Sequence, residues 1–336
     1  MCEIEKILLT NFLIATVHSQ WLSHNLISSV TGFLGLTETC SSKWIPANIS
    51  GLEDDVRRSV YGQPFVSSAL IPVLKHHYSK SHEPQKALAL SFHGSPGTGK
   101  NYVTELIAKN IFREGYDSRF FHFFSGISDF PRIADTAFYQ ERLSKQIEES
   151  INICEFSMFV FDETDKIPEG ILEVVKTYLD KGKRKKGVDF RKALYIFLSN
   201  IGESHIIDKN LALWKDHVPR AQFKLKEFQN ILFAASFNEK GGLKYSSTVR
   251  SALINLYLPF LPLEKAHVKK CIIAEANRQN HTADDAFIGK VIDELEFGPL
   301  PENIFASHGC KQVETKVVLQ IALEDENSNF RLFDEL

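Results

Sequence analysis

The feature of this sequence that most constrains its fold is a glycine-rich loop at residues 94–101. The loop reads Gly94-Ser95-Pro96-Gly97-Thr98-Gly99-Lys100-Asn101, the pattern G-x-x-x-x-G-K with Asn where Ser or Thr is usual. Glycines let successive backbone N–H groups turn toward phosphate oxygens, and the lysine reaches the terminal phosphates. An apolar run at 87–92 precedes the loop, and apolar residues with helical spacing follow at 102–108. A chance glycine turn accounts for neither Lys100 nor this setting, so the sequence predicts a phosphate-binding loop between a strand and a helix.

A second apolar run, residues 157–161, ends in the carboxylates Asp162 and Glu163. A strand buried in a parallel sheet reads as a continuous apolar run, and its carboxyl end opens onto the ligand crevice. Asp162 is predicted to hold Mg²⁺ there, directly or through water, and Glu163 is predicted to polarise the attacking water as general base. An ordinary acidic turn is the alternative, which the phosphate-binding loop earlier in the chain disfavours.

A third apolar run, residues 193–198, ends in Ser199 and Asn200. An amide at the tip of this strand is predicted to touch the γ-phosphate and to help orient water, which is the sensor-1 role in AAA+ ATPases. Asparagine is common in turns after strands, so Asn200 alone is a weak signal. It gains weight from the order of phosphate loop, Asp-Glu strand and Asn strand, because this is the order found in AAA+ ATPases.

Within that class, the sequence resembles the torsin family over about Ile45 to about Thr315. The matching segments are the Gly-Lys-Asn end of the loop, residues 159–166, residues 196–200, residues 258–264 and Gly309-Cys310-Lys311. The resemblance implies an α/β fold in which an AAA+ P-loop parallel sheet is flanked by helices and followed by a small C-terminal helical domain. It also implies ATPase activity with ATP and Mg²⁺ as cofactors. The Ser95-Pro96 pair departs from the bulkier start of the loop expected in vertebrate torsins and leaves the subtype open.

The resemblance assigns roles to the candidate site residues. Those assigned to catalysis are Glu163, Lys100 and Asn200. Those assigned to nucleotide binding are Gly94, Ser95, Pro96, Gly97, Thr98, Gly99, Lys100, Asn101, Asp162 and Lys311. Asp162 is the Mg²⁺ ligand, and Lys311 takes the sensor-2 position. Gly62-Gln63 corresponds to a pair that lies near adenine in Clp-type ATPases.

Three parts of the chain are predicted: a signal or membrane-associated segment at 1–40, a large AAA+ α/β nucleotide-binding domain at 41–262, and a small helical domain with sensor-2 at 263–336. Residues 7–17 have the length of a signal-peptide core, although acidic residues precede them. Residues 21–36 either lie on a membrane surface or pack as a helix. The resemblance implies the endoplasmic reticulum lumen and the nuclear envelope (perinuclear space). If the signal functions, Asn48 and Asn280 begin candidate glycosylation sequons.

The chain has five cysteines, of which Cys2 leaves with any cleaved signal. The other four allow three disulfide connectivities, and in a reducing compartment all four would remain thiols. Resemblance to torsins pairs Cys40 with Cys154 as a structural disulfide. It pairs Cys271 with Cys310, beside Lys311, as a redox-responsive disulfide that couples redox state to nucleotide affinity.

An arginine finger is missing from the expected place. Alignment on residues 260–263 with Clp-type ATPases puts Leu253 at the arginine, and Arg250 lies out of register. Because such an arginine contributes a large factor in P-loop hydrolases, slow hydrolysis without a partner is expected. The resemblance implies activation by a lamina-associated-polypeptide-type membrane cofactor that inserts an arginine, and assembly as a homo- or hetero-oligomer.

Composition narrows the alternatives. A net charge of −3 gives no general signal for nucleic acid, and 43% hydrophobic residues with 26 Phe suffice for a large aromatic core. The basic run at 181–186 suits phosphate contacts but is better explained as a solvated loop, so a nucleic-acid partner is disfavoured. Two other functions stay open. One is a non-lumenal AAA+ ATPase acting on nucleic acid, and the other is a nucleotide-gated binding module with little hydrolysis.

Overall fold

The computed structural model describes residues 37–179, 184–185, 188–238 and 253–334. The strands are β1 (Leu88–His93), β2 (Phe121–Ser125), β3 (Met158–Asp162), β4 (Arg184–Lys185), β5 (Val188–Asp189), β6 (Leu194–Ser199), β7 (Leu256–Pro259), β8 (Phe297–Gly298) and β9 (Phe305–Ala306). Five of them form a parallel sheet in the order β2-β3-β6-β1-β7, and β4–β5 and β8–β9 form two small antiparallel pairs.

Helices flank this sheet and make up most of the chain after residue 264. They are α1 (Ile49–Ser59), α2 (Ile71–His77), α3 (Lys100–Ile111), α4 (Thr136–Ile153), α5 (Glu173–Leu179), α6 (Glu203–Lys215), α7 (Leu225–Asn238), α8 (Lys265–Arg278), α9 (Asp285–Asp293) and α10 (Val313–Asp334). One π-helical turn, Val66–Leu70, runs directly into α2. The predicted α/β fold, with helices after the sheet, is confirmed.

The apolar runs of the sequence are the central strands of the sheet. Every residue of β1 and β6 is buried, and β3 is buried except for its last residue, as expected for strands covered on both faces. Phe124, Phe161 and Phe197 stack across three neighbouring strands with ring centroids 5.0 and 5.3 Å apart. Stacked rings on one face of a sheet add packing energy beyond their buried area, which explains the use of so many phenylalanines.

The surrounding helices pack through one apolar face each. In α4, the buried residues Tyr139, Leu143, Ile147 and Ile151 recur at every fourth position, which is the spacing of one helical face. A second apolar cluster, separate from the sheet core, begins at Leu263 and is formed by α8, α9, α10 and the β8–β9 pair. Helix α9 begins with an ordinary N-cap, in which the Asp284 side chain accepts a hydrogen bond from the Phe287 N–H.

Two disulfides tie distant parts of the chain together. Cys40 bonds to Cys154 with Cα atoms 5.2 Å apart, and Cys271 bonds to Cys310 with Cα atoms 6.3 Å apart. Both pairings implied by the torsin resemblance are therefore formed. The predictions for the N-terminal apolar segments and for Arg250, and the side chains of the basic run, lie outside the described residues. Within the described ranges, no helix has the length and apolarity needed to cross a membrane.

Candidate nucleotide site

Three neighbouring strands of the sheet end in the predicted site residues. β1 lies between β6 and β7, and β3 lies on the other side of β6. The glycine-rich loop follows β1, Asp162 closes β3, and Asn200 follows β6. Since parallel strands open at the same edge of the sheet, the topology brings the loop, the carboxylates and the amide together at that edge.

The backbone of the loop requires glycine at its turning points. Gly94, Gly97 and Gly99 have φ values of 152°, 75° and 104°, a region that favours glycine. A Cβ at Gly94 would lie 2.4 Å from the Phe260 carbonyl oxygen, so the loop also packs too closely for a side chain there. At Gly99, which caps the N-terminus of α3, a Cβ would meet no atom within 4 Å. The loop therefore forms an open cradle at a helix N-terminus, the arrangement that binds phosphate.

Lys100 is 7% exposed, and its ammonium group is surrounded by neutral oxygens. It donates hydrogen bonds to the Gly94 and Ser95 carbonyls and, at 2.9 Å, to Asn200 Oδ1. Burial lowers the pKa of Lys100 to about 8, with Asp162 acting in the opposite direction. An anion beside the ammonium group would offset this burial, so the lysine suits a phosphate ligand.

Asp162 is bonded through both carboxylate oxygens. Asn101 Nδ2 donates to Oδ2 at 2.7 Å, and the Glu163 N–H donates to Oδ1 at 2.8 Å. The Asn101 amide therefore stands where a metal ion would compete for the carboxylate. Mg²⁺ prefers oxygen ligands of this kind, and the donor set fits that ion.

Glu163 is held in an unusual backbone conformation. Its φ is 53°, which is costly for a residue with a side chain and persists only where the surroundings impose it. A Cβ at Gly126 would lie 2.3 Å from the Glu163 carbonyl oxygen, so the next strand end packs tightly against it. The half-buried carboxylate accepts a hydrogen bond from Ser125 Oγ at 3.2 Å. The hydrogen bond holds the Glu163 carboxylate beside the end of β2, and its role as general base stays a prediction.

Asn200 is positioned by a buried polar chain that the sequence analysis did not identify. His93 lies at the end of β1, where its Nδ1 bonds to the Ile201 carbonyl at 3.0 Å and its Nε2 bonds to Ser91 Oγ at 2.7 Å. Burial lowers the pKa of His93 to about 4, so the ring is neutral at physiological pH. The neutral ring fastens the turn that carries Asn200 to the strand that carries the loop. The sequence feature that could have revealed this chain is the pair of polar residues, Ser91 and His93, in an otherwise apolar strand.

The turn that carries Lys311 borders the loop through a direct backbone contact. The Cys310 N–H donates to the Gly97 carbonyl at 3.0 Å. A Cβ at Gly97 would lie 1.9 Å from the His308 carbonyl oxygen, and one at Gly309 would lie 2.2 Å from the Gly97 carbonyl oxygen. Residues 308–311, bearing the Cys271–Cys310 disulfide, thus rest on the apex of the phosphate loop.

Gln63 and Arg220 join segments around the site, and neither role was predicted. Gln63 is buried, donates to the Thr98 and Leu261 carbonyls at 3.0 and 2.9 Å, and accepts the Leu261 N–H at 2.8 Å. Arg220 donates to the Gly62 and Pro262 carbonyls, each at 2.9 Å, and pairs with Glu264. Burial lowers the pKa of Arg220, with Glu264 opposing this effect. These side chains connect residues 62–63, the loop and the start of α8.

Leu253 is only 8% exposed and belongs to the core around the sheet. A side chain in this place packs inward, away from solvent. Leu253 is therefore an apolar core residue.

Comparison with solved structures identifies the fold. The "S. cerevisiae Hsp104-ADP complex" superposes with a TM-score of 0.58 and 15% identity, covering 90% of this chain and 50% of that one. A closed-state reconstruction of "Hsp104:ATPyS and FITC casein" gives the same TM-score and identity, covering 85% and 48%. The chain therefore spans about half the length of the Hsp104 chains. At this identity the likeness shows the AAA+ fold alone.

Sequence comparison identifies the family. Residues 34–161 match the family described as Torsin, and residues 263–319 match "Torsin-1A, C-terminal domain". A torsin-like protein of Caenorhabditis elegans is 36% identical over 290 residues, 85% of this chain and 81% of the relative. A torsin-like protein of Drosophila melanogaster is 35% identical over 288 residues, 84% and 85% of the two chains. Together with the AAA+ fold, these matches show that the chain belongs to the torsin family.

Proposed function

We propose that this AAA+ protein binds ATP with Mg²⁺ at the strand-end site and hydrolyses it slowly unless a partner supplies an arginine. The observation that carries the proposal is the meeting of four groups at one edge of the sheet. They are the Lys100 ammonium, the Asp162 and Glu163 carboxylates and the Asn200 amide. This set contains a phosphate-binding cation, a metal ligand, a base and a water-orienting amide.

Each group has a separate chemical task in the proposed reaction. Lys100 exchanges the Gly94 and Ser95 carbonyls for phosphate oxygens, which restores the charge pairing it loses by burial. Glu163 takes a proton from the attacking water, and Asn200 helps to hold that water in line. Asp162 would hold Mg²⁺, which when bound would neutralise the negative charge of the phosphates. Lys311, on the turn that contacts the loop, adds positive charge near the phosphates.

We place this activity in the lumen of the endoplasmic reticulum and the perinuclear space. Two disulfides are formed, and disulfides persist in oxidising compartments but are rare in the cytosol. The torsin relationship supports the same location. The proposed biological role is chaperone-like remodelling of proteins or membranes, with a lamina-associated-polypeptide-type membrane cofactor as activator and assembly into homo- or hetero-oligomers.

One observation favours a second function, a nucleotide-gated binding module that barely hydrolyses ATP. The Asn101 amide donates a hydrogen bond to the Asp162 carboxylate, and the Lys100 ammonium donates one to a carbonyl of the loop itself. Both features are compatible with a protein that binds nucleotide and barely hydrolyses it, whereas Glu163 argues against this function because a binding switch needs no base. Phosphate release by the purified lumenal part, measured with and without candidate activators, separates the two functions. Stimulated release supports the ATPase, whereas tight nucleotide binding without release under any condition supports the module.

The bond between Asn101 and Asp162 predicts a weak affinity for Mg²⁺, which a substitution at Asn101 should raise. Mg²⁺ must displace a hydrogen bond to a charged group, an interaction worth roughly 1.5–3 kcal/mol. Asn101→Thr, which restores the usual hydroxyl, should lower the Mg²⁺ concentration at half-maximal ATP binding by about tenfold, since 1.4 kcal/mol is a factor of ten. Titration of Mg²⁺ against a fluorescent ATP analogue measures this. Affinity in EDTA serves as the control and should stay constant; an unshifted Mg²⁺ midpoint would rule out competition by Asn101.

The contact between Cys310 and Gly97 predicts that redox state tunes nucleotide affinity. Reducing the Cys271–Cys310 disulfide frees the turn that donates the Cys310 N–H to the loop. Loss of one such bond corresponds to about 0.5–1.5 kcal/mol, so affinity should fall about two- to twelvefold. The Cys271→Ser/Cys310→Ser double variant should match the reduced protein in a nucleotide titration. The Cys40→Ser/Cys154→Ser pair is the control and should leave affinity unchanged; equal affinities in all forms would contradict the coupling.

A further inference from the structure

The chain contains two sequons of the form Asn-x-Ser/Thr, and their asparagine side chains differ in hydrogen bonding. Residues 48–50 read Asn-Ile-Ser, and residues 280–282 read Asn-His-Thr. In both, the asparagine and the hydroxyl residue are exposed. Exposure therefore does not distinguish them, and the bonding of each asparagine side chain must decide.

The Asn48 side chain caps a helix. It is the N-cap of α1, where its Oδ1 accepts the Gly51 N–H at 3.0 Å. Its Nδ2 lies against the helix: a Cβ at Gly51 would be 2.3 Å from Asn48 Nδ2 and 2.8 Å from Asn110 Oδ1. A sugar on this nitrogen would have to turn the amide out of the cap, at a cost to the start of α1.

Asn280 lies on an open turn between α8 and α9. Its φ is 56°, the left-handed conformation in which a helix commonly ends, and its N–H bonds to the Asn277 carbonyl at 3.1 Å. The next residue anchors the turn, because the His281 ring packs 4.7 Å from that of Phe287. Within the described part of the chain, neither the Asn280 amide nor the Thr282 hydroxyl has a hydrogen-bond partner. Helix termination explains an asparagine here but does not call for a threonine two residues later.

We infer that Asn280 is an N-glycosylation site and that Asn48 is not. This inference rests on the proposed lumenal location. The donor is a lipid-pyrophosphate-linked oligosaccharide. The Asn280 amide nitrogen forms a bond to sugar C1 and loses one proton, while the C1–O bond breaks and the lipid pyrophosphate leaves with its electron pair. The glycan projects from the α8–α9 turn, so this face stays in solvent in any assembly of the protein.

The test expresses the full chain in a eukaryotic secretory system with a C-terminal glycosylation tag as a reporter of lumenal delivery. Mobility is compared before and after digestion with peptide N-glycosidase. The expected result is two glycans, one on the tag and one on Asn280. Asn280→Gly and Thr282→Ala should each lose one glycan, whereas Thr282→Ser and Ser50→Ala should keep both. Glycine accepts the same positive φ, so Asn280→Gly keeps the turn and should melt at the same temperature as the parent.

The outcomes separate this inference from the location on which it rests. A glycosylated tag with no loss in Asn280→Gly overturns the assignment of Asn280 alone. A glycan lost in Ser50→Ala shows that the cap at Asn48 does not protect that residue and overturns the second half. An unmodified tag on the native chain overturns lumenal delivery and the inference together.

Discussion

Replacing Glu163 with glutamine is expected to slow ATP hydrolysis at least about a hundredfold while MgATP continues to bind, because a positioned general base contributes roughly 10²–10⁴ in rate. Glutamine has the size of glutamate and can keep the contact with Ser125 Oγ, but it cannot take a proton from water. The Asp162 carboxylate and Lys100 remain to hold nucleotide. Single-turnover phosphate release and equilibrium nucleotide binding, measured on the same preparation, test both halves of the prediction.

Two variants serve as controls for this experiment. Ser125→Ala removes only the hydrogen bond that orients Glu163 and should cost much less than Glu163→Gln. Lys100→Ala should lose nucleotide affinity itself, since Lys100 is the cation inside the cradle. If the ATP-bound state is the assembled state, Glu163→Gln should also retain its partners during purification. Unchanged turnover in Glu163→Gln would remove the base assignment and favour the binding module.

A partner protein that carries an arginine is expected to raise turnover at least about tenfold, because an arginine supplied to a P-loop hydrolase can contribute roughly 10³–10⁵. The proposed site has a base, a metal ligand and two lysines, Lys100 and Lys311, but none of its residues in the described part of the chain is an arginine that could meet the charge developing on the transferring phosphoryl group. Leu253 packs in the core, and an identical neighbouring subunit would present the same leucine. Steady-state phosphate release with increasing amounts of a lamina-associated-polypeptide-type lumenal domain measures the stimulation.

The decisive variant lies in the partner. An activator whose arginine is changed to alanine should bind this protein with similar affinity and fail to stimulate it. Binding by calorimetry and turnover by phosphate release must be measured together, so that a lost complex is not mistaken for a lost arginine. Rapid hydrolysis by the homogeneous protein alone, at any concentration, would contradict the prediction and make Arg250 the candidate finger.

The sheet and the places of the candidate site residues could be predicted because both depend on local sequence patterns. Continuous apolar runs mark β1, β3 and β6, and the candidate residues Asp162, Glu163 and Asn200 lie at or just after the ends of β3 and β6. Once parallel pairing is assumed, the carboxyl ends must meet, so Asp162 and Asn200 come together without further information. Local pattern and global topology agree at these positions.

The missed features depend on pairings between distant residues. Asn101 meets Asp162 across 61 positions, and Gln63 meets Leu261 across 198. An amide or an imidazole has no sequence signature for the partner it will find, since its donors and acceptors fit many groups. Ser91 and His93 are polar residues in an otherwise apolar strand, but the contact of His93 with Ile201 depends on the register of β1 with β6.

The approach of Gly97 to Gly309 has a mechanical consequence. The two glycines meet backbone to backbone, with no side chain between the phosphate loop and the turn that follows β9. Side chains absorb small displacements by changing rotamer, whereas a peptide pressed on a peptide has no such compliance. A displacement of the turn therefore requires the phosphate loop to move with it, because no side chain lies between the two peptides to change rotamer. The Cys271–Cys310 disulfide joins the same turn to α8, so the position of the loop is coupled to that of α8 as well as to the turn before α10.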